Sequence, residues 1–148
     1  MYDKQLSNIT PMIGEVYMMK FNGSHHGQSG WRPGVVLQNN VGNIFSPNLI
    51  ALPLTSAIKK TNLPTHVVVP AVGTGLLRDS MVLCENPETM PKARVGYYIT
   101  KLSDEYMKKI AVANSLATAS IAFLDEADLI NVWRESIRLN ESVSQDSA

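Results

Sequence analysis

The adjacent histidines His25 and His26, followed six positions later by Arg32, are the side chains of this sequence whose types and spacing could do chemistry. Histidine titrates near neutrality without help from its surroundings, so either ring could carry a proton. As a metal site the pair is poor, because neighbouring residues rarely present both rings to one ion with enough further ligands. The loop that holds them, Asn22 to Trp31, contains three glycines and two serines and cannot form a core. Arg32 carries a planar fork of donors suited to phosphate oxygens. By residue type alone it reads as a surface arginine at the entrance of a strand. Cys84 lies in the apolar run Met81-Val82-Leu83-Cys84 and reads as a small buried hydrophobe rather than a nucleophile. The sequence has no glycine-rich phosphate fingerprint and no Cys/His cluster at zinc spacing.

Those residues need a scaffold, and 148 residues suit one domain with one core. Lys plus Arg equals Asp plus Glu at 13 each, so the net charge is zero. A protein that grips a polyanion along a long phosphate track is usually basic. Zero charge therefore excludes a broad electrostatic glove and leaves room for a short local site. A single cysteine cannot close a disulfide within the chain, which fits a reducing compartment. No signal segment and no apolar run of membrane-spanning length is found, so a cytoplasmic protein with no membrane contact is expected.

Strands are expected at Gly14 to Phe21, Pro33 to Leu37, Leu49 to Leu54, Thr65 to Val69, Ser80 to Cys84 and Val95 to Ile99. Pro33 lacks a donor and belongs at a strand entrance; Pro53 implies a bulge or an edge. Gly and Pro separate these pieces at close intervals, as in a compact antiparallel barrel or sandwich. After Lys101 the period changes. Ser103 can cap a helix whose face is Met107, Ile110, Asn114, Ala117, Ile121 and Leu124. Asp125 can cap a second helix with the stripe Ile130, Trp133 and Ile137. Residues 1–12 read as a loose arm, and those after Asn140 as a frayed end.

Several segments carry a family resemblance. Trp31-Arg32-Pro33-Gly34-Val35-Val36-Leu37-Gln38-Asn39 resembles the R-P-x-V-V-L/I-x-N strand of MazF/PemK toxins. Leu52-Pro53-Leu54-Thr55-Ser56, then Leu63-Pro64-Thr65-His66-Val67, resembles the segment that follows in that family. Asp79-Ser80-Met81-Val82-Leu83-Cys84-Glu85 is similar to its D-S-V-x-L-x-E/D strand, and Lys101-Leu102-Ser103-Asp104-Glu105 to the start of its C-terminal helix. The stretch Asn39 to Pro47 resembles Gram-positive members. The resemblance implies a mainly β fold with C-terminal helices: a small twisted antiparallel barrel, SH3-like, of the MazF/PemK/CcdB type. It divides the chain into an arm at 1–13, a toxin domain at 14–124 and a helical extension at 125–148. It further implies a sequence-specific, metal-independent endoribonuclease of a toxin–antitoxin pair, acting on single-stranded RNA as a homodimer, without a cofactor, and blocked by a cognate antitoxin.

Cleavage without a metal must use the RNA's own 2′-hydroxyl as nucleophile. The enzyme then removes the 2′ proton, stabilises charge at phosphorus and protonates the departing 5′ oxygen. By resemblance, Arg32 is the catalytic arginine and Thr55 the catalytic threonine. The family's G-S-E-Q loop becomes Gly23-Ser24-His25-His26-Gly27-Gln28 here, so Ser24 and Gln28 are candidate RNA contacts and the acidic residue is missing. His25 and His26 are taken as candidate proton carriers in its place. Ser56, Lys59, Lys60 and His66 complete the candidate RNA contacts. A second departure is Asn86-Pro87-Glu88-Thr89, where the family places a basic residue at the position of Glu88; near a phosphate this reverses an attraction. The alternative reading is a non-catalytic or gyrase-type binding module on the same fold.

Overall fold

The computed structural model describes residues 10–23 and 30–144. Seven strands and three helices follow in the order β1 (Glu15–Phe21), β2 (Gly30–Val36), α1 (Asn40–Phe45), β3 (Asn48–Thr55), β4 (His66–Val69), β5 (Ser80–Leu83), β6 (Glu88–Pro91), β7 (Val95–Lys101), α2 (Asp104–Thr118) and α3 (Glu126–Ser144). The sheet runs β4-β5-β3-β2-β1-β7, with β6 also pairing with β3. Every pairing is antiparallel.

Strand alternation feeds two buried clusters, because successive side chains leave a strand on opposite faces. Val16, Val35, Leu52 and Leu54 pack under Ile110 and Ala113 of α2, while Tyr17, Met19, Phe21, Val36, Leu49 and Met90 fill the second cluster. Strand β3 has three partners along its length. It pairs with β2 through Ala51–Pro53, with β6 through Asn48–Ala51 and with β5 through Leu54–Thr55. The change of partner from β6 to β5 falls around Pro53, the residue without a donor to share. The irregularity expected at that proline is thus a change of partner within a central strand.

Two elements go beyond the sequence reading. Helix α1 is opened by Asn39, whose side chain accepts from Gly42 N–H at 2.9 Å. Its Asn40 and Asn43 are buried and joined at 3.1 Å. Strand β6 is four residues bounded by Pro87 and Pro91, too short and too polar for a period to register. The first C-terminal helix ends earlier than its apolar face implies: Ala119 is left-handed at φ 57°, its N–H returns to Ser115, and a 3-10 turn, Ser120–Phe123, follows. The stripe of α3 is only partly covered, since Ile130, Trp133 and Ile137 are all exposed. What ties α3 down is Val143, which is buried, and Asn140, whose Oδ1 accepts from Asn40 N–H at 3.0 Å. Among the described residues no helix is long and apolar enough to cross a membrane.

Candidate functional site

Arg32 and Thr55 come from strands that pair directly. The β2–β3 register matches Gly34 with Pro53, Val35 with Leu52 and Val36 with Ala51. That pairing ends at Gly34–Pro53, two residues from Arg32 on β2 and two from Thr55 on β3. Both stand at one end of the pair, and both line a cavity of about 670 Å³. Arg32 is partly buried, and loss of water around its guanidinium lowers its pKa from the ordinary value. A guanidinium starts so far above neutrality that it remains a cation. The Thr55 oxygen accepts from Ala57 N–H at 3.1 Å, which fixes the turn after β3 and leaves the hydroxyl hydrogen to donate. Ser56 lies on the same cavity wall.

Also lining this cavity is the segment between β4 and β5. Asp79 closes it by accepting from Ala71 N–H at 2.8 Å, and Thr100 of β7 donates to the Thr74 carbonyl at 2.8 Å. Leu76 pins it to the core. The Arg78 carbonyl accepts from Ser80 Oγ at 2.9 Å, so the backbone that bears this second guanidinium is held in place. The cavity wall carries Arg32 and Arg78 and, among the described residues, no carboxylate. In a chain of zero net charge that is a local positive site, and its remaining lining is largely apolar and aromatic, including Trp31, Tyr97 and Tyr98.

Other sequence candidates fall elsewhere. His66 is held between the Lys60 carbonyl at Nδ1 (3.1 Å) and the Glu85 carboxylate at Nε2 (2.8 Å), and it braces the loop before β4. Lys59 and Lys60 are exposed on that loop, outside the cavity wall. Ser24, His25, His26 and Gln28 lie outside the described residues. Glu88 has a specific use: its carboxylate accepts from the backbone N–H groups of Asn22 and Gly23 at 3.1–3.2 Å and faces Arg94 at 3.8 Å. The reversed charge therefore anchors the chain beyond β1. Cys84 is fully buried, and its thiol is pushed up to about 12, first by burial and then by the Glu85 carboxylate. A thiol so placed is not a nucleophile near neutrality. No group of three or more His, Cys, Asp and Glu side chains is placed to share an ion among the described residues. Arg78, Trp31 and Tyr97 do not stand out in the sequence as site residues. Arg78 stands directly before the Asp79-Ser80 motif, which is the one available signal; the aromatics give none, because only folding brings β2 and β7 to one cavity.

The profile of the family described as PemK-like, MazF-like toxin of type II toxin–antitoxin system matches residues 13–117. Endoribonuclease EndoA of Bacillus subtilis (strain 168) is 42% identical over 121 residues, which cover 82% of this chain and 95% of EndoA. Among solved structures, a mycobacterial endoribonuclease in complex with its cognate antitoxin superposes with a TM-score of 0.62 at 25% identity, covering 74% of this chain and 96% of that one. MazF from Deinococcus radiodurans has the same fold, with a TM-score of 0.67 at 20% identity over 76% of this chain and 99% of its own.

Proposed function

This chain belongs to the PemK-like, MazF-like toxins of type II toxin–antitoxin systems, and from that premise we propose that it is a sequence-specific endoribonuclease that cuts single-stranded RNA without a metal ion. One observation carries the reading beyond family membership: two arginines and Thr55 line one cavity that has no carboxylate among its described lining residues, in a chain with no net charge.

The 2′-oxygen attacks phosphorus while its proton leaves. Negative charge builds on the non-bridging oxygens of the five-coordinate phosphorus. A cation held there and partly stripped of water stabilises that charge more than it stabilises the ground state. Arg32 takes this part, and the Thr55 hydroxyl donates to the same phosphoryl group. His25 and His26 are the groups we assign to removing the 2′ proton and supplying the 5′ oxygen. Ser24, Gln28 and Ser56 contact the RNA beside the cut, and Lys59 and Lys60 follow the strand farther along, on the loop that His66 braces. Products are a 2′,3′-cyclic phosphate and a 5′-hydroxyl, and DNA survives for want of the nucleophile. The enzyme acts in the cytoplasm as a homodimer under the control of a cognate antitoxin, as the mycobacterial relative is held by its own. Residues 14–124 form the toxin unit and 125–148 an extension to it.

The test is to incubate the purified protein with long RNA in a metal chelator. Cleavage by the wild type is expected, with a loss of roughly a hundred- to thousandfold in Arg32→Ala and about ten- to hundredfold in Thr55→Val. Intact RNA at high protein concentration would leave the non-catalytic binding module in its place.

A further inference from the structure

The cavity extends past the Arg32–Thr55 pair to an aromatic patch that the cleavage step does not use. Between the pairs Tyr17–Tyr98 and Met19–Val95 the β1–β7 register shifts, so Met18 faces both Gly96 and Tyr97. Such a bulge re-aims the side chains of the longer strand. The register of β1 with β2 puts Trp31 opposite Lys20, on the same face as Met18. Its indole reaches across β1: a Cβ placed on Gly96 would lie 3.3 Å from the Trp31 ring and 2.9 Å from the Met18 carbonyl oxygen. The Met18 carbonyl is what a side chain at position 96 would meet first, with the indole next. Trp31 and Tyr97 nonetheless remain 47% and 53% exposed, and both line the cavity with Arg78.

Two exposed aromatic side chains and an arginine lining the same cavity match one ligand chemistry, a nucleotide with an unpaired base. The base offers a flat π-face to the rings and the phosphate an anion to the fork. We propose that Trp31, Tyr97 and Arg78 form a nucleotide subsite beside the cleavage centre, in which one unpaired base flanking the cut bond stacks on the aromatic patch and its phosphate meets Arg78. The proposal rests on the ribonuclease reading above and adds where a neighbouring nucleotide is held. Arg32 and Trp31 line one cavity, so the stacked base would belong to a nucleotide near the scissile phosphate.

The chain has two tryptophans, so Trp133→Phe leaves Trp31 as the only reporter. The probe is a single-stranded oligonucleotide spanning a mapped cleavage site, with 2′-O-methyl riboses that prevent cutting. Binding is expected to quench Trp31 fluorescence. Tyr97→Leu is expected to weaken binding roughly five- to hundredfold. One abasic position beside the cut should weaken wild-type binding by a similar factor and cost nothing further in Tyr97→Leu; this arm leaves the protein unaltered. Equal affinities for intact and abasic probes, in a protein that still cleaves RNA through Arg32, would overturn the subsite and leave the ribonuclease reading standing. A wild type that neither binds nor cuts RNA would remove both. Dissociation of Tyr97→Leu into monomers by sedimentation would assign the patch to contact between two copies, against the proposal.

Discussion

Arg32 and Cys84 show how far the same physical effect, loss of water, can lead to opposite outcomes. Partial burial of a guanidinium lowers its pKa but leaves its charge, so the field it applies to a phosphate strengthens as solvent screening falls. Complete burial of a thiol keeps it neutral. Cys84 ionises at 9.0 when unhindered and at about 12 in the fold. The protonated form is thus the one the native state favours. Its contribution to stability is whole below about pH 9 and is lost as pH climbs toward 12. Thermal unfolding followed from pH 8 to 11 is expected to show a falling midpoint in the wild type and a shallower fall in Cys84→Ala. Equal slopes would mean that Cys84 contributes nothing to the pH dependence.

Elements place these residues by register rather than by sequence distance. Twenty-three positions separate Arg32 from Thr55, and the β2–β3 pairing, which ends two residues from each, brings both to one cavity. The β1–β7 bulge does the same for Trp31 and Tyr97, and its tolerance is small. Gly96→Ala would press a methyl against the Met18 carbonyl oxygen and the Trp31 ring. We expect a loss of about 1–3 kcal/mol in stability, as for other overpacked sites. Denaturant unfolding measures the loss, and a shifted Trp31 emission in the Trp133→Phe background reports the displaced indole. Unchanged stability and emission would show that the strands part there at no cost. The strands that carry long β-branched or aliphatic runs were legible from their period; β6 and α1 were not, because their identity lies in a partner strand and in a cap on a helix of six residues.

At the scale of the whole molecule, charge is the informative quantity. Zero net charge predicts that attraction to RNA comes from a few local cations and not from the general field. The dependence of RNA affinity on salt should therefore be modest. Replacing Lys59 and Lys60 with Ala should flatten log K against log salt by about 0.7 for each phosphate that is no longer neutralised. Titration of the 2′-O-methyl probe at several salt concentrations checks this, and an unchanged slope would take both lysines off the RNA path. Helix α3 adds a second feature at this scale. It meets α1 through Asn140 and closes with buried Val143, while most of its apolar stripe stays on the surface.

Sequence by itself determined the class of the protein: alternating strands, then helices, a run of motifs in family order, and an arginine and a threonine at strand ends within that run. Local period and residue type suffice for such features, since each is written within a few neighbouring positions. Tertiary structure decided which side chains meet. It brought Arg32, Thr55, Arg78 and the aromatic patch to one cavity, assigned His66 and Glu88 to brace loops, and left the stripe of α3 largely uncovered. Those outcomes depend on register, strand order and bulges, which come from packing between segments distant in the chain and leave no periodic mark in either segment alone.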